Sequence, residues 1–191
     1  MITSFCPQGL LLAVRQVVKI SCDERNVLHK SPIIESPYVQ NLIALAAVFH
    51  ELTSSDVVAY FLFRNFVLYQ RKFSINIKSL REQLEAVLRK EDSVLYEHLR
   101  LIKAFEIIPV DLWFGRYFAQ VLHKSSLARI CDKVIGGSCK ILSYVGAAIL
   151  MVRRHPLLAL TGPEAAIELL KKIPEDTSDV VVNKALDLYY S

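Results

Sequence analysis

One tryptophan, two methionines and four cysteines are all that this 191-residue chain carries of those types, and glycine and proline are also scarce, at six and seven. So little Gly and Pro excludes collagen-like and low-complexity classes, and 53% hydrophobic residues against 22% charged excludes intrinsic disorder. Cys6, Cys22, Cys131 and Cys139 show no CxxC spacing, and His29, His50, His98, His123 and His155 stand singly. A zinc module is thereby excluded, and neither a metal nor another cofactor is expected. No apolar run approaches the roughly 18 residues of a membrane-spanning helix. Charge of one sign is not gathered into a tract either. The 23 Lys and Arg are interleaved with 19 Asp and Glu for a net +4, so nucleic acid is not an expected partner.

Catalytic signatures are missing as well. There is no GxSxG, no GxxxxGK[ST], no HExxH and no dinucleotide fingerprint following a strand. The first basic residue, Arg15, comes after the short apolar run of residues 10–14, the wrong order for a secretory signal. A cytoplasmic protein with reduced thiols is expected.

What is present is helical periodicity. Strict alternation bounded by turn residues is lacking, so the fold class is all-α, with about nine or ten helices in one domain over residues 1–191. The spacing predicts a helix over residues 10–20 and then a polar loop over 21–37. Ile77, Leu80, Leu84, Val87 and Leu88 mark one face of a later helix, on whose flank Glu85 and Arg89 form an i,i+4 pair. Leu95, Leu99 and Ile102 mark the next. Pro109 is expected to open a helix running to Leu122, and a cap at Ser125 or Ser126 to open another through Leu127, Ile130, Cys131 and Val134, ended by Gly136-Gly137. Residues 141–152 are apolar on every side and read as a central core helix. A capping box at Thr161 and Glu164 predicts a helix over 161–172, and a last one spans 179–190.

The mean hydropathy of +0.33 is high, and residues 39–52 show where the excess lies. Val39, Leu42, Ile43 and Ala46 are joined by Leu45, Val48, Phe49 and Leu52, and at 100° per residue the two stripes cover roughly 220°, about twice what a surface helix needs. Such a helix is either core or pressed against something else. The next, begun at residues 53–55, is nearly as apolar through Val57, Val58, Phe61, Leu62, Phe63 and Phe66. Basic spots at Arg71-Lys72, Arg89-Lys90 and Arg153-Arg154-His155 fall at helix ends, where cations complement the carbonyl dipoles. Contact with an anionic membrane is the alternative reading of these spots.

Pro109-Val110-Asp111-Leu112-Trp113-Phe114, Phe118-Ala119, Arg129-Ile130-Cys131-Asp132, Gly137 and Ala147-Ala148-Ile149-Leu150 together resemble the C-terminal half of the TBC domain, the all-helical Rab GTPase-activating fold. Cys131 stands where that family has a Trp. The likeness is strongest to the branch of the family that serves as a non-catalytic subunit of the tuberous sclerosis complex. It is carried there by Ser125-Ser126-Leu127, Asp132-Lys133-Val134, residues 137–142, Ile173-Pro174-Glu175-Asp176 and Ser178-Asp179. The several N-terminal helices and RxxxW motif of the family have no counterpart, so the chain reads as an N-terminally short TBC domain.

The resemblance implies two catalytic fingers, an Arg in IxxDxxR and a Gln in YxQ. The Arg neutralises charge on the transferred phosphoryl group, and the Gln positions the attacking water. Tyr38-Val39-Gln40 matches the second motif and offers Gln40 as the Gln finger. The first fails. Residues 20–26 keep the Ile and Asp but put Asn26 at the Arg position, leaving Arg25 displaced by one residue. The resemblance therefore implies a subunit without catalysis of its own. It would bind the hamartin coiled coil in a groove at Leu42, Leu45, Val48, Phe49 and Leu52, support negative regulation of Rheb and mTOR growth signalling, and work in the cytoplasm or on lysosomal or vesicle membranes. An active Rab GTPase activator using Gln40 and Arg25 is the alternative.

Overall fold

A computed structural model describes residues 37–70 and 76–191, and these are helical throughout with no strand among them. Eleven helices are described. The chain divides into two units, residues 1–74 and 75–191.

The described part of the first unit is a hairpin of α1 (Pro37–Leu52) and α2 (Asp56–Gln70). The turn between them is closed by polar groups of the kind that favour helix starts: Thr53 Oγ1 donates to the Ser55 carbonyl at 3.0 Å, and His50 Nε2 lies 3.0 Å from Asp56 Oδ1. Aromatic rings hold the two helices together. Phe49 of α1 meets Phe63 and Phe66 of α2 at centroid distances of 6.3 and 5.4 Å. The predicted helix over 10–20 and all but the last residue of the predicted loop over 21–37 lie outside the described residues; that last residue, Pro37, opens α1 instead of ending the loop.

The second unit holds α3 (Ile77–Glu91), α4 (Ser93–Leu101), α5 (Ala104–Ile107), α6 (Val110–Gly115), α7 (Lys124–Ile135), α8 (Ile141–Val152), α9 (Arg154–Leu158), α10 (Glu164–Leu170) and α11 (Glu175–Tyr190). Its axis is α8, buried from Ile141 to Leu150 except at Tyr144, as an all-round apolar run of that length demands. α11 packs along one side of α8 and α3 along another. At the α3 crossing Gly146 sits against Leu84, so close that a Cβ there would collide with that side chain. The buried Ser143 hydroxyl donates to the Leu80 carbonyl at 2.9 Å, satisfying an otherwise costly polar group.

Side chains cap two helices of this unit. Asn76 accepts from the Ser79 amide at the start of α3, and Asp92 accepts from the Leu95 amide at the start of α4, both through side-chain oxygens. Other boundaries differ. The helix opened by Pro109 stops at Gly115 instead of running to Leu122, because Tyr117, Phe118 and Gln120 adopt left-handed backbone, with φ of 53°, 64° and 71°. That reversal turns the Phe118 ring back onto Trp113 and Phe114, at 5.6 and 6.1 Å, and all three are fully buried. α7 is not capped by Ser125 or Ser126. Its cap residue is His123, while Ser126 Oγ donates to Asp179 Oδ1 at 2.7 Å, tying α7 to α11. The capping box at Thr161 does not form either: α10 begins at Glu164, after Pro163. α11 begins four residues earlier than its stripe suggests, with Glu175 and Asp176 in its first turn. Arg89 reaches the Tyr96 hydroxyl at 2.7 Å and lies over its ring.

Candidate functional site

Gln40 stands in the first turn of α1, partly buried, between exposed Tyr38 and the apolar body of the helix. A glutamine there can present its amide near a helix start, which is what positioning a water requires. Arg25 and Asn26 lie outside the described residues.

The five positions of the expected groove do not lie on one open face. Leu42, Leu45 and Phe49 are buried, Val48 is partly buried and Leu52 is exposed. Phe49 is committed to the rings of α2. The open apolar surface of the hairpin is instead on α2, where Val57, Val58, Phe61 and Leu62 are each about half exposed or more. Their i, i+1, i+4, i+5 spacing places them together, opposite buried Ala59, Phe63, Phe66 and Val67. The sequence shows this helix as apolar nearly all round, which hides which side turns outward; the polar break at Arg64 and Asn65 was the available signal.

In the second unit the residues that carry the family resemblance do structural work. Trp113, Phe114, Phe118 and Ala119 are core, Arg129 donates to Asn183 Oδ1 at 2.8 Å, and Gly137 ends α7 with a φ of 106° that only glycine adopts freely. Cys131, on the buried face of α7, replaces a bulky ring with a small thiol. Burial, with the Asp132 carboxylate adding to it, pushes that thiol up to about 12, so it stays protonated and inert at neutral pH. Burial also raises the Cys139 thiol. Asp92 uses both carboxylate oxygens: one caps α4, and the other takes a hydrogen bond from Arg154 Nε at 2.7 Å. Among the described residues no group of His, Cys, Asp or Glu is placed to hold a metal ion, and no helix is long and apolar enough to cross a membrane. The described surface thus offers apolar faces for contact.

The family profile of the Rab-GTPase-TBC domain matches residues 25–158. A protein of Xenopus tropicalis named TBC1 domain family member 7 is 42% identical over 149 residues, 78% of this chain and 51% of that protein. Its Homo sapiens namesake is 37% identical over 169 residues, 87% of this chain and 58% of that one. The Danio rerio protein of the same name is 37% identical over 152 residues. The chain therefore spans about half the length of the curated relatives it matches.

Proposed function

Since the chain belongs to the Rab-GTPase-TBC domain family, we propose that it acts as a non-catalytic TBC subunit, a binding partner for a coiled-coil helix of the hamartin type that supports negative regulation of Rheb and mTOR growth signalling. The observation that carries this reading is the Asn at position 26, where the activating motif needs its Arg. Arginine fingers supply on the order of 10³ to 10⁵ of the rate, and Arg25 stands one residue early in the sequence, out of register with the motif. The likeness to proteins named TBC1 domain family member 7, at 37–42% identity, supports the same branch of the family.

Binding by such a subunit needs an apolar helix face, and the hairpin supplies apolar surface in quantity. Two measurements test the reading. A hamartin coiled-coil fragment co-expressed with the chain is expected to co-purify with it. GTP hydrolysis by a panel of Rab proteins is expected to be unchanged on addition of the chain. Stimulation that disappears in Gln40→Ala or Arg25→Ala would instead establish an active Rab GTPase activator with a relocated finger.

A further inference from the structure

Three side chains where the start of α7 meets the start of α11 stand in the order of a nucleophile, a base and an orienting acid. Ser125 Oγ lies 2.9 Å from His123 Nδ1, and the far nitrogen of the same ring, Nε2, lies 3.3 Å from Glu175 Oε1. A carboxylate only accepts, so in the neutral imidazole it draws the ring proton to Nε2 and leaves the lone pair of Nδ1 facing the serine hydroxyl. That is the tautomer in which a histidine can take the proton of Ser125. The backbone around the ring is fastened. The His123 amide donates to Ser178 Oγ at 3.1 Å, Ser178 Oγ donates in turn to the Pro174 carbonyl at 2.9 Å, and the Ile173 amide donates to the Val121 carbonyl at 2.8 Å. Ser178 is fully buried, so the residues just ahead of the two helices are held together and His123 keeps its spacing from Glu175. Ser125 itself is exposed in the first turn of α7. No side chain caps that helix, and the amides of its first turn point out of the same end, where they can meet a negative oxygen.

We propose that Ser125, His123 and Glu175 form an acyl-transfer site that cleaves small carboxylic esters, an activity apart from the GTPase activation whose loss the proposed function rests on. Ser125 Oγ attacks the ester carbonyl carbon as its proton passes to His123 Nδ1, and the carbonyl oxygen becomes an oxyanion. The bond from that carbon to the alcohol oxygen then breaks, the alcohol leaves with the proton from His123, and an acyl-serine remains. Water attacks the acyl-serine while giving a proton to His123, the carboxylic acid departs, and Ser125 Oγ takes the proton back. Glu175 holds the ring in the required tautomer throughout. Ser125 and Glu175 are both open to solvent, so the substrate is a small ester or one carried at an exposed chain end. The neighbouring hydroxyl is not an equivalent nucleophile, because Ser126 is buried and donates to Asp179 Oδ1.

Labelling of the full chain with a fluorophosphonate, mapped by peptide mass spectrometry, tests this. The serine oxygen displaces fluoride from phosphorus and the adduct persists. Label is expected on Ser125, and p-nitrophenyl acetate is expected to be hydrolysed faster by the parent chain than by Ser125→Ala. His123→Gln is expected to slow labelling at least about a hundredfold, the scale of one general base. Glu175→Ala is expected to slow it at least about tenfold, with Glu175→Asp restoring part, a rescue that follows the carboxylate and not the fold. Thermal melting of each variant separates lost chemistry from lost structure. A cooperatively melting parent chain without label on Ser125, equal ester hydrolysis by Ser125→Ala, or labelling unaltered in folded His123→Gln or Glu175→Ala would overturn the proposal.

Discussion

Cys131 shows what one substitution against a family pattern does. The thiol fills only part of the space that a ring would take and is held protonated by burial. Its ordinary value is 9.0 and the folded value about 12, so the folded chain keeps a proton that the unfolded chain gives up above pH 9. Stability from this group is whole below that pH and is lost progressively as pH rises from about 9 to 12. Thermal melting over that range is expected to show a steeper loss for the parent than for Cys131→Ala, and native Cys131 should resist alkylation at neutral pH. Asp92 is the opposite kind of residue, polar and doubly used. Asp92→Ala is expected to cost about 1 to 3 kcal/mol, from the lost cap and the stranded Arg154. Asp92→Asn, which still caps, should recover part of this; denaturant midpoints of the two variants check it.

Individual helices were legible in proportion to how far local chemistry decides them. α3 and α4 follow from apolar spacing and α8 from a run too apolar to sit anywhere but the middle, while the side-chain caps at Asn76 and Asp92 emerge only in the structure. α6 was misread because nothing local announces that Tyr117, Phe118 and Gln120 turn left-handed. That reversal folds Phe118 back onto Trp113 and Phe114 of the helix just before it, and all three rings are buried. Serines 125 and 126 look like caps, but their hydroxyls go to His123 and Asp179 instead. Gly146 is where α8 lets α3 approach, with the Leu84 side chain in the place a Cβ would take. Gly146→Val is expected to destabilise the fold by about 1 to 3 kcal/mol despite removing a glycine from a helix, which equilibrium unfolding would show as a lower midpoint at similar slope.

At the level of the whole chain the all-helical class was legible from periodicity, and the family from residues that prove to be core, turn and cap. The candidate site was less so. A wide apolar arc on α1 announces burial without saying against what, and Phe49 shows that part of it is spent inside the hairpin. The outward face, Val57, Val58, Phe61 and Leu62, sits on the neighbouring helix, where uniform hydrophobicity masked its direction. The Asn at position 26, on which the proposed loss of catalysis rests, is read from the sequence and not from packing. Catalysis removed and contact surface retained is the central claim, and titration of the folded chain with a purified hamartin coiled-coil fragment tests it most directly. Saturable binding that persists without any nucleotide or Rab protein is the predicted result. A chain that melts cooperatively yet shows no binding to that fragment would contradict the account.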